Sequence, residues 1–193
     1  MKIFMGIDPG QDGAVAVINE KGKILKIYFR FYIDIGKRKR VAKGKQKGEM
    51  KTYANKIHNE RKIMDSVNAV SNYCSGRNYE LKACLEKQQA MKIAGISQGI
   101  SSAFKTGSGY GLWRMALMCA AIPYENPMPR SWQKDFFQGV GGLDTKEKSV
   151  IVAERLFPND CKRFIPTKRS RKANHNITDA VLMAEWLRRK ENG

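Results

Sequence analysis

The sequence is short of cysteine, histidine, acidic charge and long apolar runs, and each shortage removes a class of function. Its four cysteines, Cys74, Cys84, Cys119 and Cys161, never stand as a CxxC pair. That argues against a zinc site or a disulfide framework, and four reduced thiols fit a cytosol. No apolar run approaches membrane-spanning length, and the N-terminus lacks the charged, apolar and cleavage regions of a signal peptide. A cytoplasmic protein with no membrane partner is expected. The glycine-rich FKTGSGYG lacks the GK[ST] of a phosphate-cradling loop, so no nucleotide cofactor is expected either.

The acidic residues are outnumbered: 18 Asp and Glu stand against 36 Lys and Arg, for a net charge of +18. Such an excess points to a polyanionic partner, most often nucleic acid. Most of it is concentrated in two stretches without a single acid. GKRKRVAKGKQKG carries Lys37, Arg38, Lys39, Arg40, Lys43, Lys45 and Lys47; KRFIPTKRSRK carries Lys162, Arg163, Lys168, Arg169, Arg171 and Lys172. A merely solvated surface mixes its signs.

The 193 residues, 42% of them hydrophobic, suffice for one domain with a real core. KIFMGID, AVAVIN and KILKIYFRFY read as three strands. A mobile basic loop over 36–48 follows, then a helix from about Thr52 to Cys74 and a fourth strand, YELKACLE. The segment 97–121 reads as helix broken at TGSGYG. ENPMPRSWQKDFF reads as a turn and a short helix. Asp144 caps a further helix, with Glu147 three residues on and Pro158 as its stop. A last helix starts near Ile177. The order indicates a mixed α/β layer fold.

Two strands of buried type, IFMGID and KACLE, each end on a carboxylate, Asp8 and Glu86. Working groups of open α/β sheets gather at the carboxyl ends of strands. If the two strands are neighbours, the acids repel unless a cation bridges them. A third acid, Asp179, is expected in the first turn of the final helix, its side chain facing either inward or out to solvent. Three hard oxygen donors from separate elements suit Mg²⁺ or Mn²⁺, and such a site cleaves phosphodiesters by the two-metal arrangement. Each acid alone has a plainer reading as a turn, strand-end or helix-dipole residue. In company with two basic stretches they favour a metal-dependent nuclease.

Collinear blocks carry a resemblance: GIDPGQDGAVAVI, CLEKQQAM, GYGLWRMAL, IPYENPMPRSWQK, GGLDTKEKSVIVAERLFP and TDAVLMAEW. Through them the chain resembles Holliday-junction resolvases of the RuvC type, in particular their bacteriophage branch. The resemblance implies a ribonuclease-H-like fold, a mixed sheet of about five strands with helices on both faces, as a single domain over 1–193. It implies a homodimeric endonuclease that makes paired nicks in branched DNA with Mg²⁺ or Mn²⁺, two ions per active site. For a phage protein the compartment would be the host cytoplasm. Asp8, Glu86 and Asp179 match the metal-binding acids of the family, and Lys134 and Lys148 match its lysines near the scissile phosphate. The place of a fourth ligand falls on His175 or Asn176, and His175 is the one with a nitrogen donor. Where bacterial members carry a stacking aromatic, Gln89 stands here, which implies broad specificity for four-way, three-way and forked DNA. The two basic stretches, with Arg169, Arg171 and Lys172 in the second, are expected to grip the backbone. A non-catalytic DNA-binding module on the same fold is the alternative.

Overall fold

The computed structural model describes residues 1–40, 49–53, 55–89, 92–93, 96–97, 99–142, 144–167 and 169–193. In chain order it contains β1 (Lys2–Ile7), β2 (Ala14–Asn19), β3 (Ile24–Phe29), β4 (Tyr32–Asp34), β5 (Lys37–Arg40), β6 (Met50–Tyr53) and β7 (Lys56–His58). Then come α1 (Glu60–Ser75), β8 (Glu80–Leu85), β9 (Lys92–Ile93), β10 (Ile96–Ser97), α2 (Ile100–Cys119) and β11 (Tyr124–Glu125). The chain ends with α3 (Pro129–Phe137), α4 (Thr145–Leu156), a 3-10 turn (Pro158–Phe164) and α5 (His175–Asn192).

Five strands form the main sheet in the order β11-β8-β1-β2-β3. The first three strands in sequence pair antiparallel, whereas β8 runs parallel to β1 and β11 parallel to β8. Because side chains alternate across a strand, β1 serves two cores at once. Ile3, Met5 and Ile7 face α1 and α2, where Val67, Trp113 and Leu117 are buried. Phe4 faces the other way, onto Trp132, Ala153 and Val181 of α3, α4 and α5. The sheet is therefore covered by helices on both sides, which is why β1 and the start of β2 read as unbroken apolar runs.

Four expectations from the sequence need correction. The strand expected over KILKIYFRFY divides at Arg30, whose φ of 61° breaks the extended backbone. The helix expected from Thr52 begins at Glu60, with the Asn59 side chain accepting from the Lys62 amide. The preceding residues instead return along a hairpin, β6 pairing with β5 and β7 with β4. Lys37–Arg40, expected as loop, are thus strand, and Lys43, Lys45 and Lys47 lie outside the described residues. Finally, α2 runs unbroken through TGSGYG. A Cβ on Gly109 would stand 2.2 Å from the His58 ring, so this glycine is where β7 lies against the helix rather than where the helix stops. His58 Nε2 donates to the Lys105 carbonyl at 3.1 Å and fixes that contact.

The tightest packing lies between α5 and the sheet. A Cβ built on Gly6 would fall 2.0 Å from the Ala180 carbonyl oxygen and 2.5 Å from the Ala184 amide. The helix backbone rests directly on β1, with no side chain between. Gly6→Ala is expected to force the two apart, at a cost of about 3 kcal/mol or more, above the usual range for one added methyl because the obstacle is backbone. Urea unfolding would measure it; an unchanged midpoint would mean that the helix rides higher than described.

Candidate active site

The acids at the ends of β1 and β8 are placed by strand register. Ile7 is paired with Leu85, and the Glu86 amide donates to the Ile7 carbonyl at 3.1 Å. Asp8 and Glu86, the next residues along two parallel strands, leave the sheet side by side. The third acid arrives from above: Asp179 precedes Ala180, whose carbonyl lies over Gly6. It belongs to the second turn of α5, which begins at His175, and is partly buried rather than out in solvent.

Each carboxylate is held by a specific donor. Asp8 Oδ1 accepts from the Gly10 amide at 3.1 Å. Glu86 accepts from the Trp132 indole at 3.1 Å on one oxygen and from the Gln88 amide at 3.1 Å on the other. The Ser149 hydroxyl draws the Asp179 carboxyl down and lies 2.8 Å from the hydroxyl of Thr178. Asn126, in the turn before α3, donates to the Leu85 carbonyl at 2.6 Å and steadies the end of β8.

These donors do not cancel burial and repulsion. The Asp8 carboxyl is pushed up to about 6, mainly by burial, with the Gly10 bond opposing and the Asp12 charge adding. Glu86 is pushed up to about 7 by burial and then by the charge of Asp8. Asp179 is pushed up to about 8 by burial and by the charges of Asp8 and Glu86, against Ser149 and the Lys146 ammonium. The three acids thus act on one another as a single electrostatic group. Oxygen donors of this kind, partly buried and mutually repelling, fit a hard divalent cation. Among the described residues no three His, Cys, Asp or Glu side chains are drawn in tightly enough to hold an ion. The three acids are coupled through their charges, and a bound cation would supply the attraction that is missing between them.

The basic residues are distributed around this centre. Lys134 and Lys148 come together with Arg130 and Thr145 in a groove of about 450 Å³ between α3 and α4. The helices that line it also carry Trp132 and Ser149, the donors to Glu86 and Asp179. Lys146, which no motif in the sequence marks, acts on Asp179. His175 stands one turn before Asp179 and lines a second groove of about 490 Å³ with Lys146, Glu154, Arg171 and Lys172. Burial and Lys146 hold its imidazole below the usual range, with Asp144 opposing. Asn176 is turned instead toward the β1–β2 turn, its Nδ2 donating to the Asp12 carbonyl at 2.9 Å. Arg169 is exposed in the turn ahead of α5. The Lys37–Arg40 strand stands apart on its hairpin.

Trp132, Gln88, Ser149 and Lys146 were not singled out from the sequence. Trp132 and Gln88 sit in the quoted blocks but look like core and surface residues there. Nothing local marks Ser149 or Lys146, because their roles exist only once α4 packs on α5.

No family model and no curated protein matches the sequence. Solved structures do match the fold. RuvC of T. thermophilus in complex with a Holliday junction substrate is 14% identical, with a TM-score of 0.51, covering 100% of this chain and 98% of that one. The yeast mitochondrial Holliday junction resolvase Ydc2 is 13% identical, with a TM-score of 0.53, covering 98% of this chain and 78% of that one. At these identities the likeness establishes a ribonuclease-H-like α/β fold along the whole chain.

A pH dependence follows from the three raised acids. In metal-free protein they bind protons more readily in the folded state than in the unfolded chain, from about pH 4 up to the folded values. Stability should therefore fall as pH rises through about 5 to 8 and level off above. Thermal unfolding in EDTA is expected to show the falling Tm, and Asp179→Asn should flatten it while raising Tm at pH 8. A Tm that climbs with pH over this window in the wild type would contradict the mutual repulsion.

Proposed function

We propose that the protein is a metal-dependent endonuclease that nicks branched DNA, four-way junctions foremost and also three-way junctions and forks. The observation that carries this reading is the convergence of Asp8, Glu86 and Asp179 at one end of the sheet. The grooves flanking them are lined with Lys and Arg, and the fold shared with two resolvases supports the same reading. Asp8, Glu86 and Asp179 would hold Mg²⁺ or Mn²⁺, which when bound activates water and stabilises the leaving oxygen. Trp132 and Gln88 fix both oxygens of Glu86, so that its carboxylate is oriented before any ligand arrives. Ser149 favours the charged form of Asp179. Lys134, Lys148 and Arg130 give the α3–α4 groove the charge to seat phosphates beside the acids, and Arg171 and Lys172 do so in the neighbouring groove.

Homodimerisation is part of the proposal, and α2 supplies the surface. Ile100 is 91% exposed, Phe104 75%, Met118 63% and Met115 59%. With Gly107 and Gly111, beside which a Cβ would meet nothing within 4 Å, they recur every three or four residues along one stripe. Large apolar side chains at the ends and glycines at the centre suit close approach of a second α2. No helix of the described residues is long and apolar enough to cross a membrane, so the stripe is not a spanning segment.

The decisive test incubates the protein with four-way, three-way and linear DNA in Mg²⁺ and in Mn²⁺. Nicks in the branched substrates alone are expected, and Asp8→Asn should lower the nicking rate about 100-fold or more while binding is kept. Binding without nicks in either metal would favour a DNA-binding module instead. In light scattering, Phe104→Glu with Met115→Glu should convert a dimer to a monomer and uncouple the two nicks. A wild type that is monomeric at all concentrations would remove α2 from the proposal.

A further inference from the structure

We infer that the β5–β6 hairpin is a two-stranded ribbon that enters the major groove of a DNA duplex arm beside the acids. The inference rests on the branched-DNA reading and adds the mode and place of a contact. Among the described residues the two strands pair with each other and lie outside the main sheet. All four residues of β6, which point alternately to its two faces, are exposed, as are Lys37 and Arg38 opposite them. Both faces of the ribbon therefore reach solvent at these residues. A two-stranded hairpin alone is marginal in water, and completion by a partner is what stabilises such an element.

Charge selects the partner. The strands read KRKR and MKTY, with no acid in either, so the ribbon fits a polyanion. Its shape selects the mode, because the major groove of B-DNA admits a two-stranded ribbon flanked by phosphates on both rims. The root selects the place. Just below β6, Lys56 Nζ pairs with Asp12 Oδ2 at 2.6 Å, and Gln11 Nε2 donates to the Lys56 carbonyl at 2.8 Å. Gln11 and Asp12 belong to the turn that begins at Asp8, and the Asp12 carbonyl accepts from Asn176. The ribbon thus springs from the edge of the acid site. Lys51 stands five residues beyond Lys56, or roughly 17 Å at strand rise, which corresponds to about five base pairs of duplex. Lys51, and Arg38 and Lys37 one and two residues nearer the root, would meet phosphates up to that distance from the scissile bond.

The test measures full-length protein binding to a four-way junction in EDTA across a salt series. Replacing Lys37, Arg38 and Lys51 together by Ala should lower the slope of log affinity against log salt by about two to three. Affinity at 0.15 M salt should fall on the order of 10-fold or more. A biotin on a thymine C5 about five base pairs from the mapped nick should weaken the wild type to a similar extent and leave the triple variant unaffected. An unchanged salt slope in the variant, or wild-type binding that tolerates the major-groove biotin but yields to a minor-groove ligand, would overturn the ribbon. Nicking in Mg²⁺ is scored separately on the same junction. A protein that binds through the ribbon but never cuts would fail the nuclease reading and keep this one.

Discussion

The direct contact of the α5 backbone with Gly6 is the constraint on which the candidate site depends. Parallel pairing of β1 and β8 sets two carboxylates next to each other, but a pair of acids at a strand edge is not yet a centre. The third acid reaches them because the helix lies on β1 without a side chain between, at 2.0 Å for a hypothetical Cβ. Any larger residue would lift α5 and carry Asp179 away from the strand ends. The same contact seals the core formed by Trp132, Ala153 and Val181. Packing and chemistry therefore share one residue that has no side chain of its own.

Electrostatics then works against packing. Burial and proximity raise all three acids, and the local donors from Gly10, Trp132, Gln88 and Ser149 offset this only in part. A fold that tolerates such strain at one point has hydrophobic burial to spare elsewhere, and both faces of the sheet provide it. The groove that Lys134 and Lys148 line does not have the acids in its walls, while Lys146 acts on Asp179. That separation leaves the acids uncancelled and the lysines available to phosphates.

The amount legible in the sequence follows from how local each determinant is. The first two strands were legible because apolar runs bounded by turn residues have few other readings. Asp8 and Glu86 followed from their position at strand ends. The helix after Asp144 was legible because its capping box is contained in four residues, and the Asp144 side chain does accept from the Glu147 amide. What failed was non-local. The hairpin of β4 to β7 depends on pairing with residues well beyond the local window, from Arg40 with Met50 out to Tyr32 with His58, so Lys37–Arg40 read as loop and Thr52 as helix. TGSGYG read as a break because glycine lowers helix propensity; the reason for Gly109, the imidazole of His58, lies on another element. The roles of Ser149 and Lys146 wait on α4 and α5 meeting, and the direction of Asp179 and the turning of Asn176 toward Asp12 on α5 reaching the sheet and the β1–β2 turn.

The double duty of β1 has a consequence for how this chain can vary. Its odd residues feed one core and its even residues the other, with the acid at the next position. One residue inserted or deleted before Asp8 would exchange the two sets of side chains and move the carboxylate off its neighbour by a strand step. No local repair restores all three together. Length changes in descendants of this chain are thus expected to accumulate in the outlying hairpin, while the opening strand stays fixed in length even where its apolar residues drift.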